Sequence, residues 1–146
     1  MTASLKGFEW PPFTVRVERE QAKTFAKALG ETNPIYFDEQ AARAAGYAGL
    51  PVLPTYVTAL ATARTDLVYD LFERLKVDPS KVLHGRQRYV FHAPIHAGDE
   101  LVGRKQLIDV VEKKGGALQI IDTRIDYRGQ HAGVVFEDHC TLVVRR

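Results

Sequence analysis

The chain lacks most of the features that mark a specialised class. Cys140 is its one cysteine among 146 residues. No intramolecular disulfide can form, so a reducing compartment, the cytoplasm, is expected. No stretch reaches the roughly 18 consecutive apolar residues of a membrane helix, and Met1 to Gly7 holds no apolar core of signal-peptide length. No Gly-, Ser- or Pro-rich linker and no internal repeat divides the chain. Net charge is only +2, too small to point to nucleic acid. What remains is a soluble globular composition, 45% apolar and 26% charged, with one domain expected over residues 1–146. A domain of this size hides roughly 68–70% of its unfolded surface.

The hydrophobic pattern changes period along the chain. Residues 1–12 are expected to be a mobile start ending at Pro11-Pro12, and Phe13 to Val17 alternates like a short strand. From Glu18 to Leu29, apolar residues recur at helical spacing, with Gly30 as a stop. Asp38 is placed to cap a short helix over Glu39 to Ala45, which Gly46 closes. The longest helix is predicted from about Thr55 to Leu75, on the stripe Val57, Leu60, Ala61, Leu67, Val68, Leu71 and Leu75. Arg64 falls in phase with that stripe and blemishes it. After residue 80 the period becomes two. Strands are predicted near Val82–Phe91, Glu100–Glu112, Ala117–Tyr127 and Ala132–Val144, with glycine-containing turns at Lys114-Gly115-Gly116 and Arg128-Gly129-Gln130. Such turns leave no room for crossover helices, so the strands are antiparallel neighbours. A sheet with one apolar face needs a cover, and the long helix is the element able to supply it.

Two segments carry a resemblance. One is Gly30-Glu31-Thr32-Asn33-Pro34-Ile35-Tyr36-Phe37-Asp38; the other is Gly46-Tyr47-Ala48-Gly49-Leu50-Pro51-Val52-Leu53-Pro54-Thr55. Together with Val17-Glu18-Arg19-Glu20 and Phe91 to Asp99, they resemble the MaoC-like dehydratases and hydratases, whose loop reads Asp-x-Asn-Pro-(Ile/Leu)-His-x-Asp. Within that family the chain is similar to the N-terminal dehydratase-domain type, the substrate-holding subunit of two-subunit 3-hydroxyacyl-carrier-protein dehydratases. The resemblance implies an α+β hotdog fold, a five-stranded antiparallel sheet wrapped around a long central helix. It implies a homodimer, or a heterodimer with a second hotdog subunit. The implied substrate is a 3-hydroxyacyl or 2-enoyl thioester of CoA or of an acyl-carrier protein. No redox cofactor or metal is implied; CoA or phosphopantetheine enters only as part of the substrate.

The departures from the family loop fall on the chemistry. Reversible hydration needs groups that exchange protons near neutral pH and donors that hold the thioester oxygen as it gains charge. Glu31 stands where the family's catalytic Asp would be, and Tyr36 where its His would be. A phenol, with a pKa of about 10, donates a hydrogen bond but exchanges protons poorly at neutral pH. The resemblance makes Glu31 and Tyr36 the catalytic candidates. Asn33, Pro54, Thr55, Tyr56 and His84 are the substrate-binding ones, with the backbone N–H of Thr55 or Tyr56 as the oxyanion donor. Each has a plainer role open to it: an exposed glutamate, a packed tyrosine, an Asn-Pro turn, a strand histidine. Asp38 reads mainly as a cap. His92 and His96 are separated by Pro94 and do not share a helix face as zinc-binding histidines do. Cys140 falls on an apolar face and reads as a small hydrophobe. Arg86, Arg88, Arg104 and Arg145-Arg146 are either phosphate or carrier-protein contacts or solvated strand charge. Three functions stay open: a hydratase or dehydratase, alone or as half of a pair; a non-catalytic acyl-thioester-binding subunit; and a hotdog thioesterase.

Overall fold

A computed structural model describes residues 5–129 and 133–146. The elements run β1 (Phe13–Arg16), α1 (Arg19–Ala28), α2 (Glu39–Ala44), α3 (Val57–Thr62), α4 (Asp66–Leu75), β2 (Val82–Phe91), β3 (Glu100–Lys113), β4 (Leu118–Gly129) and β5 (Val134–Arg145). Short 3-10 turns stand at Pro34–Tyr36, Pro54–Tyr56, Pro79–Lys81 and Lys114–Gly116. All strand pairings are antiparallel, in the order β1-β3-β4-β5-β2. This is the predicted five-stranded sheet of a hotdog, with β2 and β1 at its edges. The predicted turn at Arg128-Gly129-Gln130 and the first residue of the fourth predicted strand, Ala132, lie partly or wholly outside the described residues.

Local chemistry sets the helix boundaries as the sequence suggests. Gly30 adopts φ +74° after α1, a conformation open to glycine without a Cβ clash. Asp38 Oδ1 accepts from Gln40 N at 2.6 Å and Ala41 N at 3.0 Å, capping α2. Arg19 then ties α1 to α2 through Glu39 at 2.7 Å.

The predicted single helix over 55–75 is corrected: it is two α-helices, α3 and α4, preceded by a 3-10 turn and joined through Ala63-Arg64-Thr65. Across the joint the chain tightens to i,i+3 bonds, Arg64 N to Ala61 O and Leu67 N to Arg64 O. Two causes are visible. The Thr62 and Thr65 hydroxyls donate back to Ala59 O and Thr62 O, competing with the helix ladder. Arg64, in phase with the buried stripe, lies with its guanidinium 4.7 Å from the Phe13 ring centroid and pairs with Asp66 at 2.9 and 2.7 Å. The blemish in the stripe is thus the position of the break.

Of the opening segment expected to be mobile through residue 12, residues 1–4 lie outside the described residues, and residues 5–12 run against the sheet and α4. Trp10 is buried, and its Nε1 donates to Asp70 Oδ2 on α4 at 2.6 Å. Trp10 N also donates to Lys105 O at 3.0 Å, and Leu107 N to Phe8 O at 2.9 Å. Burial of an indole outweighs the ordering cost of the short segment leading to it. Phe13 sits so closely on β3 that a Cβ at Gly103 would lie 2.3 Å from its ring.

The core lies between α3/α4 and the concave face of the sheet. Leu60, Leu71, Ile121, Tyr127 and Phe136 are all at or below 4% exposure, and the Tyr127 and Phe136 rings stack at 4.3 Å. Among the described residues several buried polar atoms lack a partner, including His96 Nε2, the Tyr127 hydroxyl and both ends of the Gln119 amide. Gln119 is fully buried on the interior face of β4, and neither its Nε2 nor its Oε1 has a hydrogen-bond partner. Such a group costs about 1–3 kcal/mol. Gln119→Met, of similar length, is expected to stabilise the fold by about 1 kcal/mol, seen as a higher urea midpoint at unchanged slope. A lower midpoint would mean that the amide is satisfied in solution, for instance by a buried water.

Candidate functional site

Two adjoining cavities flank β2. The inner one, about 440 Å³, lies between the α3/α4 run and the concave faces of β2, β4 and β5. Ala61, Leu67, Val68, Leu71, Ile125 and Leu142 supply its apolar surface, and Thr58, Thr62, Arg64 and Thr65 also line its helical side. Its floor is polar, carrying His84, Gln87, Asp138, Lys105, Thr123 and Cys140.

A β-bulge assembles part of that floor. The β2/β5 register slips between His84 and Arg86, leaving Gly85 as the extra residue. A Cβ there would lie 2.9 Å from Val143 Cγ2 and 3.2 Å from Thr141 O, so the close approach requires glycine. The extra residue re-aims the strand, and His84 and Gln87, three apart, both line the cavity. His84 Nε2 is 2.9 Å from Gln87 Oε1, and Gln87 Nε2 donates to Asp138 Oδ1. With the amide oxygen turned to the imidazole, His84 Nε2 carries the proton. Cys140 Sγ stands 3.6 Å from the same nitrogen.

The floor's titrations follow burial. Desolvation raises Asp138 above the usual carboxylate range, partly opposed by the Gln87 bond. Burial, then the charge of Asp138, pushes Cys140 up to about 11. It is a thiol at neutral pH, not the thiolate a nucleophile requires. Burial lowers Lys105 to about 8; its Nζ donates to Leu67 O at 3.0 Å and lies 4.9 Å from the Trp10 ring.

The outer cavity, about 400 Å³, is lined by Tyr36, Tyr47, Pro51, Pro54, Phe91 and Pro94. Its wall is held by a short bridge in which Val52 N donates to Ile95 O at 3.0 Å and Ala97 N to Leu50 O at 2.8 Å. The two cavities adjoin along β2: Tyr89 lines the inner one and Phe91 the outer, with rings 6.4 Å apart.

The predicted site residues fall in different places. Tyr36 and Pro54 line the outer cavity and His84 the inner one. Partial burial raises the Tyr36 hydroxyl above its ordinary pKa, with the charges of Glu31 and Tyr47 adding to it, so at neutral pH it is a phenol able to donate. Glu31 lies near enough to Tyr36 for that influence, but its Oε1 accepts from Thr32 N and Asn33 N, both at 2.9 Å. Asn33 Oδ1 accepts from Ile35 N at 3.2 Å and caps the 3-10 turn. Both side chains brace the loop. Thr55 is exposed. The Tyr56 N–H donates to Leu53 O at 2.9 Å, and its ring is buried edge-on to Phe25. His92 and His96 have separate neighbours, Glu137 at 2.9 Å and Asp99 at 3.9 Å. Among the described residues, no group of three or more His, Cys, Asp or Glu is placed to hold a metal ion, and no helix is long and apolar enough to cross a membrane. The sequence reading missed Gln87, Tyr89, Lys105 and Asp138. The available signal was period two: Lys105 falls between Gly103 and Leu107, and Asp138 between Phe136 and Cys140, on faces otherwise apolar.

Comparison with known proteins agrees with this fold. Residues 4–138 match the family described as FAS1-like, dehydratase domain region. The chain is 35% identical over 130 residues to a UPF0336 protein of Parafrankia sp. (strain EAN1pec), covering 89% of this chain and 84% of that one. It superposes with a TM-score of 0.80 and 32% identity on a chain of the C-terminally truncated HadBC (3R-hydroxyacyl-ACP dehydratase) complex from Mycobacterium tuberculosis, covering 98% of this chain and 99% of that one. A MaoC-like dehydratase shares the fold at a TM-score of 0.83 and 24% identity; the match takes in 99% of this chain and 43% of that one.

The floor of the inner cavity makes a pH-dependent prediction. Lys105 has a folded pKa of about 8 against an ordinary 10.5, so the folded state binds that proton more weakly than the unfolded chain. The resulting penalty is fully present below about pH 8 and is lifted as pH rises toward 10.5. Lys105→Met is therefore expected to stabilise the fold at pH 7 by about 1–3 kcal/mol. Urea titrations of both proteins should show that gain shrinking between pH 8 and 10.5. A gain that does not change with pH would mean that the ammonium is solvated.

Proposed function

The chain belongs to the FAS1-like dehydratase-region family, and on that footing we propose that it is the acyl-thioester-holding subunit of a hotdog dehydratase/hydratase. It binds the 3-hydroxyacyl or 2-enoyl group, while a second hotdog subunit with an intact Asp and His supplies the proton-transfer pair. The observation that carries this reading is the state of the altered pair. The Glu31 carboxylate is taken up by two loop N–H groups, and a phenol with a raised pKa stands where the imidazole belongs. Tyr36 can hold a thioester oxygen or a water by donation. It does not take and return protons at neutral pH as an imidazole does.

Two further observations support it. The inner cavity has the volume and the apolar walls of a small-molecule site. The relative at 32% identity comes from a 3R-hydroxyacyl-ACP dehydratase complex. A partner's natural seat is β2, a ten-residue strand with β5 as its one neighbour in the sheet; an open edge of that length invites a second strand. The thioester carrier, CoA or the phosphopantetheine of an acyl-carrier protein, is part of the substrate.

The test is turnover of crotonyl-CoA by the purified chain, alone and mixed with a hotdog subunit carrying the Asp…His loop. Alone, the expected rate is slow or nil, and the pair should exceed it by about 10²-fold or more. Tyr36→His combined with Glu31→Asp should raise the rate of the lone chain by about tenfold or more. Hydration by the unmodified lone chain at about 10² per second, within the ordinary range for enzymes, would overturn the reading. Release of free acid instead of a 3-hydroxyacyl thioester would replace it with a thioesterase.

A further inference from the structure

An alkyl chain needs only apolar walls, yet the largely apolar inner cavity carries His84, Gln87, Asp138 and Lys105 in its floor. Three features show that the polar floor is built. The bulge at Gly85 aims both His84 and Gln87 into the cavity, and a side chain at that position would collide with Val143 and Thr141 O. The hydrogen bonds run from the rim inward, His84 to Gln87 to Asp138, across two strands. Asp138 and Lys105 are 4% exposed each, at positions where the alternation calls for apolar residues. In the floor their opposite charges offset one another, and Arg64, which also lines the cavity, is paired with Asp66. An anion would meet Asp138 and a cation would meet Lys105.

We propose that the cavity selects acyl groups bearing a hydroxyl along the chain, held by the His84–Gln87–Asp138 network and the Lys105 ammonium. This rests on the acyl-holding reading above and adds the substrate class. A hydroxyl both donates and accepts, so it matches a carboxylate acceptor and an imidazole or ammonium donor on one surface. A plain alkyl chain would displace water from these groups without replacing its hydrogen bonds, losing affinity. The apolar part of the helical side, Leu67, Val68 and Leu71, takes the methylenes opposite.

The test is calorimetric titration of the unmodified chain with dodecanoyl-CoA and with isomers carrying one hydroxyl at successive positions from mid-chain to the end. At least one isomer is expected to bind about tenfold tighter than dodecanoyl-CoA, the worth of one well-made hydrogen bond. Gln87→Leu should cut that preference to about threefold or less, read as the ratio of the two affinities measured on the same variant. His84→Leu, at the exposed rim, serves if Gln87→Leu does not fold. If dodecanoyl-CoA binds and no isomer binds tighter, this proposal falls and the acyl-holding reading stands. A preference that survives both substitutions overturns the assignment to this network. Failure of every acyl-CoA to bind, with or without the partner subunit, removes the acyl-holding reading and this proposal with it.

Discussion

The structure depends on one constraint: a concave sheet face that is polar in the middle lies under a helical run whose inward side carries Leu67, Val68 and Leu71 next to Thr62, Arg64 and Thr65. Protein interiors normally close to crystal-like density, and Leu67, Val68 and Leu71 would do so against an apolar floor. Lys105 and Asp138 prevent it, because their polar ends cannot be pressed against leucine without losing hydrogen bonds. A gap of about 440 Å³ is the result. If it were sealed, dry and apolar, a void of that size would cost about 10 kcal/mol at roughly 24 cal/mol per Å³. That is comparable to the whole stability of a typical domain. The fold therefore implies that the space is wetted or filled, and the polar floor is what allows water to occupy it when no ligand does.

The segmented helix belongs to the same arrangement. A continuous helix over residues 55–75 would carry Arg64 directly onto the sheet. The i,i+3 joint instead lets the guanidinium lie over Phe13 and pair with Asp66. Lys105 reaches up from β3 to Leu67 O just beyond the joint, with Trp10 packed over it from the opening segment. One lysine thus ties the floor to the cover, and Trp10 holds α4 through Asp70.

Much of the fold was legible because its signal is periodic. Alternation in β3, β4 and β5, helical spacing in α1 and α4, and the Gly30 and Asp38 boundaries are all local properties of the chain, and each was read correctly. The exceptions were non-local. The burial of Trp10 depends on α4, some sixty residues away. The bulge at Gly85 depends on how closely Thr141 and Val143 approach, and nothing within β2 records that. Arg64 was visible as a blemish, but its consequence, a broken helix, depended on Phe13 and on two threonine hydroxyls. The polar floor was legible in principle: Asp138 and Lys105 sit in phase with the apolar face, and it takes an unbroken count of two to see them there.

The loop shows why family resemblance locates a site better than it assigns chemistry. Asn33, Pro34 and Asp38 match the family pattern because they make the turn: an Asx cap, a 3-10 start and a helix cap. Those roles persist whether or not catalysis does. Glu31 illustrates the difference. Its side chain folds back onto the N–H groups of Thr32 and Asn33 and braces the loop. Tyr36 keeps the other half of the position, a hydrogen-bond donor facing the outer cavity, without the titration. On the proposed reading, the loop keeps a donor for binding and lacks a group that changes charge near neutral pH. Tyr89 and Phe91, side by side on β2, carry the lining from that outer cavity to the inner one. On the proposed reading, the thioester end would lie by Tyr36 and the chain would run inward past these rings. The partner's proton-transfer groups would then have to approach from the open β2 side, where the sheet has no strand of its own to block them.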